Sequence, residues 1–208
     1  MKVKICGITS IEDALMCADA GADFIGLNFY TKGIRYIEPK LAKEIAAELR
    51  KFSNCPTLVG VFVNETAQTM QRILDECDLD LAQLSGTESD DVVEAMSGRG
   101  FKVIRNLQSP ISNLPRPNPP DFLIDASVKG MYGGSGQTAD WEEAAAVAFQ
   151  SRVLLAGGLT PQNVVQAIQK VNPWGVDVAS GVESSPAKKD AAKVKAFIER
   201  AKRSKIDD

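Results

Sequence analysis

Histidine is absent from this chain of 208 residues. Its absence excludes the Ser-His-Asp and Cys-His forms of nucleophilic catalysis, and it removes the ligand on which most zinc sites depend. Any proton transfer must therefore come from Cys, Asp, Glu, Lys or Tyr side chains. We expect no metal site, and an acid/base pair drawn from those residue types.

The sequence also lacks the features that are typical of membrane, secreted and nucleic-acid-binding proteins. No apolar run approaches the roughly 18 residues of a membrane span, and the N-terminus lacks the layout of a signal peptide. No basic stripe accompanies the net charge of -3 and the pI of about 5.2. The four cysteines are scattered without a Cys-x-x-Cys spacing, which is typical of reduced thiols. The sequence thus predicts a cytoplasmic protein that binds neither nucleic acid nor membrane.

What the sequence does contain is a regular alternation of short apolar runs and amphipathic stretches. About eight predicted strands that alternate with about seven or eight predicted helices indicate a parallel sheet. About eight such repeats can close into a (β/α)8 barrel, and 208 residues is near the lower limit of the chain lengths usual for that fold. A doubly wound open sheet is the alternative, but it would normally carry a G-x-G-x-x-G fingerprint after the first strand. The residues at that point are Cys6-Gly7-Ile8-Thr9.

We therefore predict an α/β protein folded as a (β/α)8 TIM barrel, with a single domain over residues 1–208. Residues 109–120 contain five of the ten prolines and show no helical periodicity. The fifth helix is accordingly expected to be short or missing. Among the helix starts, Ser10 is expected to cap the first helix and Asn64 the third.

The first predicted strand ends at a cysteine. Lys4 and Cys6 share one face of this strand by its two-residue period, and a lysine beside a cysteine is unusual for a core. In a barrel the active site lies at the C-terminal ends of the strands, which is where Cys6 is placed. A nearby cation favours a thiolate, so Cys6 is a candidate base. The alternative is a small buried core residue.

Two aspartates end later strands. Asp125 follows the apolar Leu123 and Ile124, so its carboxyl could act as a general acid, cap a helix or pair with Lys4. Asp177 has the parity of an inward residue on the eighth strand, where it could bind sugar hydroxyls or form an ion pair with Lys4.

Two glycine-containing pairs and one arginine predict a site for an anionic ligand. Gly157-Gly158 and Ser180-Gly181 follow the seventh and eighth strands, whose loops commonly make the phosphate site of such barrels. Tight turns alone explain one such pair readily, and two at adjacent strand ends less well. Arg35 lies in the loop after the second strand, where it is either solvated or directed inward to hold a carboxylate.

Motifs spread over nearly the whole chain resemble, in order, those of the phosphoribosylanthranilate isomerase family. They are residues 4–9 (KICGIT), 26–30 (GLNFY), 35–36 (RY), 83–86 (QLSG), 123–125 (LID), 133–141 (GGSGQTADW), 155–163 (LAGGLTPQN) and 175–183 (GVDVASGVE). Each motif alone is weak, but together and in this order they are highly specific.

The resemblance implies a barrel that catalyses an Amadori rearrangement in tryptophan biosynthesis without a cofactor. The substrate would be N-(5-phosphoribosyl)anthranilate and the product 1-(o-carboxyphenylamino)-1-deoxyribulose 5-phosphate. By analogy with the family, Asp125 is the general acid, Cys6 is the general base and Arg35 holds the anthranilate carboxylate. The late glycines and Ser180 match the family's phosphate site. A small phosphorylated molecule would be the partner of a monomer or homodimer.

Several positions depart from the family pattern. Ser85 stands where the family commonly has histidine, and Gln137 and Ala139 stand where it commonly has lysine and phenylalanine. None of these changes removes the acid or the base implied by the resemblance. Substrate affinity and turnover are the properties we expect them to affect.

Two other functions are compatible with a barrel of this kind. A histidine-pathway sugar isomerase would carry out the same rearrangement on another aminoaldose, but such enzymes resemble one another in an aspartate where Cys6 stands here. The second is a non-catalytic barrel that binds a phosphorylated ligand, and the presence of both Cys6 and Asp125 disfavours it.

Overall fold

The computed structural model describes residues 1–105, 118, 120–125 and 137–204. Eight parallel strands pair in chain order around a closed barrel. They are short runs of mostly apolar residues, as expected for parallel strands covered on both faces. The strands are β1 Lys2–Cys6, β2 Phe24–Asn28, β3 Thr57–Phe62, β4 Leu81–Leu84, β5 Gly100–Ile104, β6 Phe122–Asp125, β7 Val153–Ala156 and β8 Gly175–Val178.

Closure of the barrel depends on the pairing of its first and last strands. β8 lies beside β1 in parallel register, with Lys4 opposite Asp177 and Ile5 opposite Val178. A doubly wound sheet leaves its outer strands unpaired on one side, whereas this sheet returns to its first strand. The predicted (β/α)8 barrel is therefore confirmed. The single domain over residues 1–208 stays a prediction.

Helices alternate with the strands and cover the barrel. They are α1 Ile11–Asp19, α2 Pro39–Leu49, α3 Ala67–Glu76, α4 Asp90–Ala95, α5 Gln137–Ala148, α6 Val164–Val171 and α7 Ala191–Arg203. Between β8 and α7 lie a 3-10 turn and a hairpin of two short strands, β9 Glu183–Ser185 and β10 Lys188–Lys189. The predicted loss of the fifth helix falls on residues 106–117 and 119, outside the described residues. Within the part of the chain that is described, no helix could span a membrane.

Two helix starts show how local chemistry sets the helix boundaries. Ser10 caps α1 as predicted, because its hydroxyl accepts a hydrogen bond from the amide three residues later at 3.1 Å. The prediction that Asn64 caps α3 is wrong, since the cap is Thr66, whose hydroxyl accepts from the Thr69 amide. Asn64 instead accepts a hydrogen bond from the Thr87 amide at 2.7 Å and so joins the loops after β3 and β4.

Apolar side chains of the described residues form two separate cores. The outer core lies between strands and helices and includes the fully buried Ile5 and Phe62. The inner core fills the barrel with Phe24, Val59, Leu81, Phe101, Val103, Leu123, Leu154 and Ala156. Lys4, Gln83 and Asp177 are buried on the same inward side, because residues paired across parallel strands share a face. Buried polar groups are costly unless they are paired, so their partners locate the functional end of the barrel.

Candidate active site

Cys6 ends β1 at the carboxyl-terminal mouth of the barrel, where it is partly exposed. Its neighbour across the strand pair is Gly26 of β2. A β-carbon added at Gly26 would lie 2.8 Å from the Cys6 sulfur and 3.2 Å from Nζ of Lys4. A side chain at Gly26 would therefore displace the Cys6 thiol, and the thiol and the ammonium border the same small space.

Lys4 is a fully buried cation inside the barrel. Its Nζ donates a hydrogen bond to Oδ1 of Asp177 at 2.7 Å and forms an ion pair with it. Burial by itself lowers the pKa of Lys4, but the attraction of Asp177 and Cys6 outweighs burial and raises the pKa above its ordinary value. Of the two roles predicted for Asp177, the ion pair with Lys4 is present. Its role in binding sugar hydroxyls stays a prediction.

Asp125 ends β6 at the same mouth as Cys6, because all eight barrel strands are parallel. Its side chain is 27% exposed, and its Oδ2 lies 3.9 Å from Nε of Arg105. The residue opposite it on β7 is the small Ala156. A partly exposed carboxyl in this position can exchange a proton with a molecule bound in the mouth.

Arg35 lies against the end of β1 rather than in solvent. Its aliphatic stem packs over Gly7, which has a φ of +74°, and a side chain at Gly7 would collide with Cδ of Arg35. Its guanidinium donates two hydrogen bonds to the carboxylate of Glu183, from Nε at 2.7 Å and from Nη2 at 2.8 Å. These bonds raise the pKa of Arg35, so its positive charge is held beside Cys6.

The late glycines differ in what the backbone requires of them. Gly157 and Gly158 have φ values of +103° and +62°, which favour glycine. No described atom lies within 4 Å of a side chain placed at Gly158, so the space beside it is open to a ligand. At Gly181 a β-carbon would collide with the carbonyl oxygen of Leu159, so the two loops pack closely there. The phosphate role of these residues and of Ser180 stays a prediction.

Three further residues of this region were not identified from the sequence. Gln83 is buried on β4; its Nε2 donates to Oγ of Ser85 at 3.1 Å, and its Oε1 has no hydrogen-bond partner among the described residues. A buried acceptor of this kind calls for a water or a ligand. Glu183 and Lys189 form a buried ion pair next to Arg35. Strand parity could have indicated Gln83, whereas no local pattern links position 35 with position 183.

A second concavity lies at the opposite end of the barrel. This pocket of about 800 Å³ is lined in part by Lys2, Arg50, Asp80 and Arg99. Its arginines have protein partners, with Arg50 2.8 Å from Asp80 and Arg99 2.6 Å from Asp75. Because (β/α)8 barrels carry their chemistry at the other end, we place the site at the mouth that holds Cys6 and Asp125.

The cysteines allow a direct test of this placement. Burial raises the pKa of Cys17 to about 12, so its thiol stays protonated at neutral pH, whereas Cys6 is partly exposed. After brief treatment of the native protein with an aromatic disulfide, we expect peptide mapping by mass spectrometry to find Cys6 modified and Cys17 intact. In guanidinium both should react, which serves as the control. Equal rates for the two thiols in the native protein would contradict the structure.

The closed barrel and the polar groups at the carboxyl ends of its strands define the class of the protein, which is a (β/α)8-barrel enzyme. A family model described as N-(5'phosphoribosyl)anthranilate (PRA) isomerase matches residues 3–200. The chain belongs to this family, which confirms the membership that the sequence motifs predict.

Individual relatives agree with the family model. The N-(5'-phosphoribosyl)anthranilate isomerase of Geobacter sp. strain M21 is 45% identical over 204 residues, covering 97% of this chain and 98% of the relative. The crystal structure of phosphoribosyl anthranilate isomerase from Thermotoga maritima has a TM-score of 0.82 and 37% identity, covering 98% of this chain and 99% of that one. Another structure of such an isomerase, in complex with reduced 1-(o-carboxyphenylamino)-1-deoxyribulose 5-phosphate, has a TM-score of 0.79 and 34% identity over the same shares of the two chains.

Proposed function

We propose that the chain converts N-(5'-phosphoribosyl)anthranilate into 1-(o-carboxyphenylamino)-1-deoxyribulose 5-phosphate, with Asp125 as general acid and Cys6 as general base. The observation that carries this proposal is the position of the two side chains. Each ends a different strand at the same mouth of the barrel, and each is partly exposed to it. Family membership over residues 3–200 supports the choice of reaction.

The rearrangement then follows from two proton transfers. Asp125, in its protonated form, gives a proton to the furanose ring oxygen while the bond from C1 to that oxygen breaks and the nitrogen lone pair forms a C1=N bond. Cys6, as the thiolate, takes the proton from C2, and the electron pair of that bond forms an enolamine. Return of a proton to C1 and loss of the proton from the C2 hydroxyl give the ketone. Carbon C1 is reduced as C2 is oxidised, so the reaction needs no cofactor.

Binding of the substrate uses the remaining polar groups of the mouth. Arg35 holds the anthranilate carboxylate, because a guanidinium matches a carboxylate in geometry and charge. The backbone around Gly157, Gly158, Ser180 and Gly181 holds the phosphate, and the open space beside Gly158 supports this placement. Asp177 meets the sugar hydroxyls with the acceptor capacity that its bond to Lys4 leaves unused.

The setting of the enzyme is part of the same proposal. We infer a cytoplasmic enzyme with one domain over residues 1–208, acting as a monomer or a homodimer. A solved relative from Thermotoga maritima is described as dimeric. Sedimentation velocity of the purified chain distinguishes the two assembly states.

Turnover of the substrate tests the proposed function. Phosphoribosylanthranilate is generated in place from anthranilate and a phosphoribosyl donor, and its fluorescence is followed after the purified chain is added. We expect fluorescence to fall in proportion to enzyme concentration and the ketose product to appear by mass spectrometry. Absence of product would overturn the proposal, and the histidine-pathway aminoaldose would be the next substrate to assay.

A further inference from the structure

Arg35 is held by a pair of charged residues from the hairpin after β8. Glu183 begins β9 and Lys189 ends β10. The side chain of Glu183 is 6% exposed and that of Lys189 is completely buried, whereas Arg35 reaches the surface at 23% exposure. Lys189 Nζ donates to Oε1 of Glu183 at 3.0 Å, the same oxygen that accepts from Nε of Arg35. The three charges therefore form one network that leads from the interior to the mouth.

Lys189 also fixes the ends of two strands. Its Nζ donates to the carbonyl oxygens of Cys6 at 2.7 Å and of Ala179 at 3.1 Å. An ammonium has three donors, and all three are used, by Glu183, by Cys6 and by Ala179. The last pair in the register of β1 with β8 is Ile5 with Val178, so Lys189 joins the two residues that directly follow this pair, Cys6 at the end of β1 and Ala179 just after β8. The backbone that carries the proposed base is thus tied to the same network as Arg35.

The arrangement leaves one edge of the guanidinium available. Glu183 occupies the edge formed by Nε and Nη2. Nη1 donates to no residue in the described part of the chain, and the edge formed by Nη1 and Nη2 matches a second carboxylate. Two cations and one carboxylate leave the network with a single positive charge. Without Lys189, the pair of Arg35 and Glu183 would be neutral and would attract an anion poorly.

The ionisation states are consistent with this arrangement. Burial alone raises the pKa of Glu183, but hydrogen bonds and charge interactions with Arg35 and Lys189 outweigh burial and hold the pKa below its ordinary value. Glu183 is therefore an anion at neutral pH and a charged acceptor for both neighbours.

We propose that Glu183 and Lys189 are positioning residues, which orient the guanidinium of Arg35 and keep it net positive so that its free edge binds the aromatic carboxylate of the substrate. Glu183 fixes the plane of the guanidinium, and Lys189 neutralises Glu183. The proposal rests on the role of Arg35 in the proposed function. It adds that recognition of the carboxylate depends on two residues that do not touch the substrate.

Binding to two related compounds tests the proposal without requiring turnover. One is reduced 1-(o-carboxyphenylamino)-1-deoxyribulose 5-phosphate, and the other is the same compound without the ring carboxylate. We expect Glu183→Gln to raise the Kd of the carboxylated compound by about 10- to 100-fold, the range for a hydrogen bond to a charged group, because loss of the contacts that fix the guanidinium plane outweighs the positive charge that the network gains. The Kd of the compound without the carboxylate should hardly change. A structural role alone would weaken binding of both compounds equally, and that outcome, or no change in either Kd, would overturn the proposal.

A double-mutant cycle tests whether Glu183 affects the Kd of the carboxylated compound through Arg35 or through another contact. In an Arg35→Met background, Glu183→Gln should cause no further loss of affinity, because the group it positions is gone. An additive loss would contradict the proposal. Asp80→Asn is the matched control, since it removes an arginine–carboxylate contact at the opposite end of the barrel, 2.8 Å from Arg50, and should leave both Kd values unchanged.

Two further measurements keep the test decisive. If circular dichroism shows that Glu183→Gln does not fold, Glu183→Asp replaces it. Aspartate retains the negative charge but its shorter side chain does not reach Arg35 in the same way. We expect the same selective loss of affinity for the carboxylated compound. Turnover by the wild-type chain is measured separately, so a failure of the proposed reaction is distinguishable from a failure of the positioning role.

Discussion

Replacing Cys6 by serine is expected to lower kcat by about 10²- to 10⁴-fold, the usual contribution of a positioned general base. Serine has nearly the same size, but its hydroxyl ionises far less readily than a thiol, so the C2 proton loses its acceptor. KM should change little, because the groups that hold the carboxylate and the phosphate remain. Steady-state kinetics with phosphoribosylanthranilate generated in place measures both constants.

Cys55→Ser is the matched control for this experiment. Cys55 is also partly exposed, but it lines the pocket at the opposite end of the barrel, where its sulfur accepts a hydrogen bond from Nη1 of Arg50 at 3.5 Å. This variant should keep the wild-type kcat. If Cys6→Ser kept it as well, the thiol would not be the base.

Replacing Asp125 by asparagine is the second substitution with a large expected effect. An amide cannot deliver a proton to the ring oxygen, so opening of the furanose should become rate-limiting and kcat should fall by about 10²- to 10⁴-fold. The amide is nearly isosteric with the carboxyl, which keeps the packing at the end of β6. The melting temperature should therefore stay close to the wild-type value although kcat falls.

The other end of the same strand provides a control for Asp125→Asn. Asp121 directly precedes β6 and pairs with Arg152, with Nη2 2.5 Å from Oδ1. Asp121→Asn should lower the melting temperature and leave kcat near the wild-type value, because Asp121 lies far from the mouth. The proposed acid would be disproved by an Asp125→Asn enzyme that turns over as fast as Asp121→Asn.

Much of the site could be predicted from the sequence because strand parity and strand ends are local properties. The position of Cys6 after an alternating run and that of Asp125 after an apolar run depend only on neighbouring residues. Given a parallel barrel, those ends must meet at one mouth, so convergence of the two side chains follows from the fold class. The position of Asp177 in the two-residue period of the eighth strand likewise predicts an inward side chain.

Contacts between distant segments were much harder to predict. For Asp177, the sequence allowed an ion pair with Lys4 but could not choose it over a free carboxylate. Asn64 looked like a helix cap because of its residue type, yet it bonds to a loop 23 residues later. Gly181 looked like part of a phosphate site, and the structure adds that it is required by the carbonyl of Leu159.

Sequence alone is sufficient to predict the barrel, the strand ends that carry the thiol and the carboxyl, and the family. These predictions use only properties of the linear sequence, which are the hydrophobic periodicity, the alternation of strands and helices, and the order of the motifs. None of them requires knowledge of how the chain packs. The surroundings of each charge, by contrast, depend on contacts that form when the barrel closes. Arg35 meets Glu183 across 148 residues, and Lys189 meets the carbonyl of Cys6 across 183, because closure of the barrel brings β8 and its hairpin beside β1. The buried ion pairs depend on this closure, because burying a charge without its partner costs free energy and the partner lies far away in the sequence.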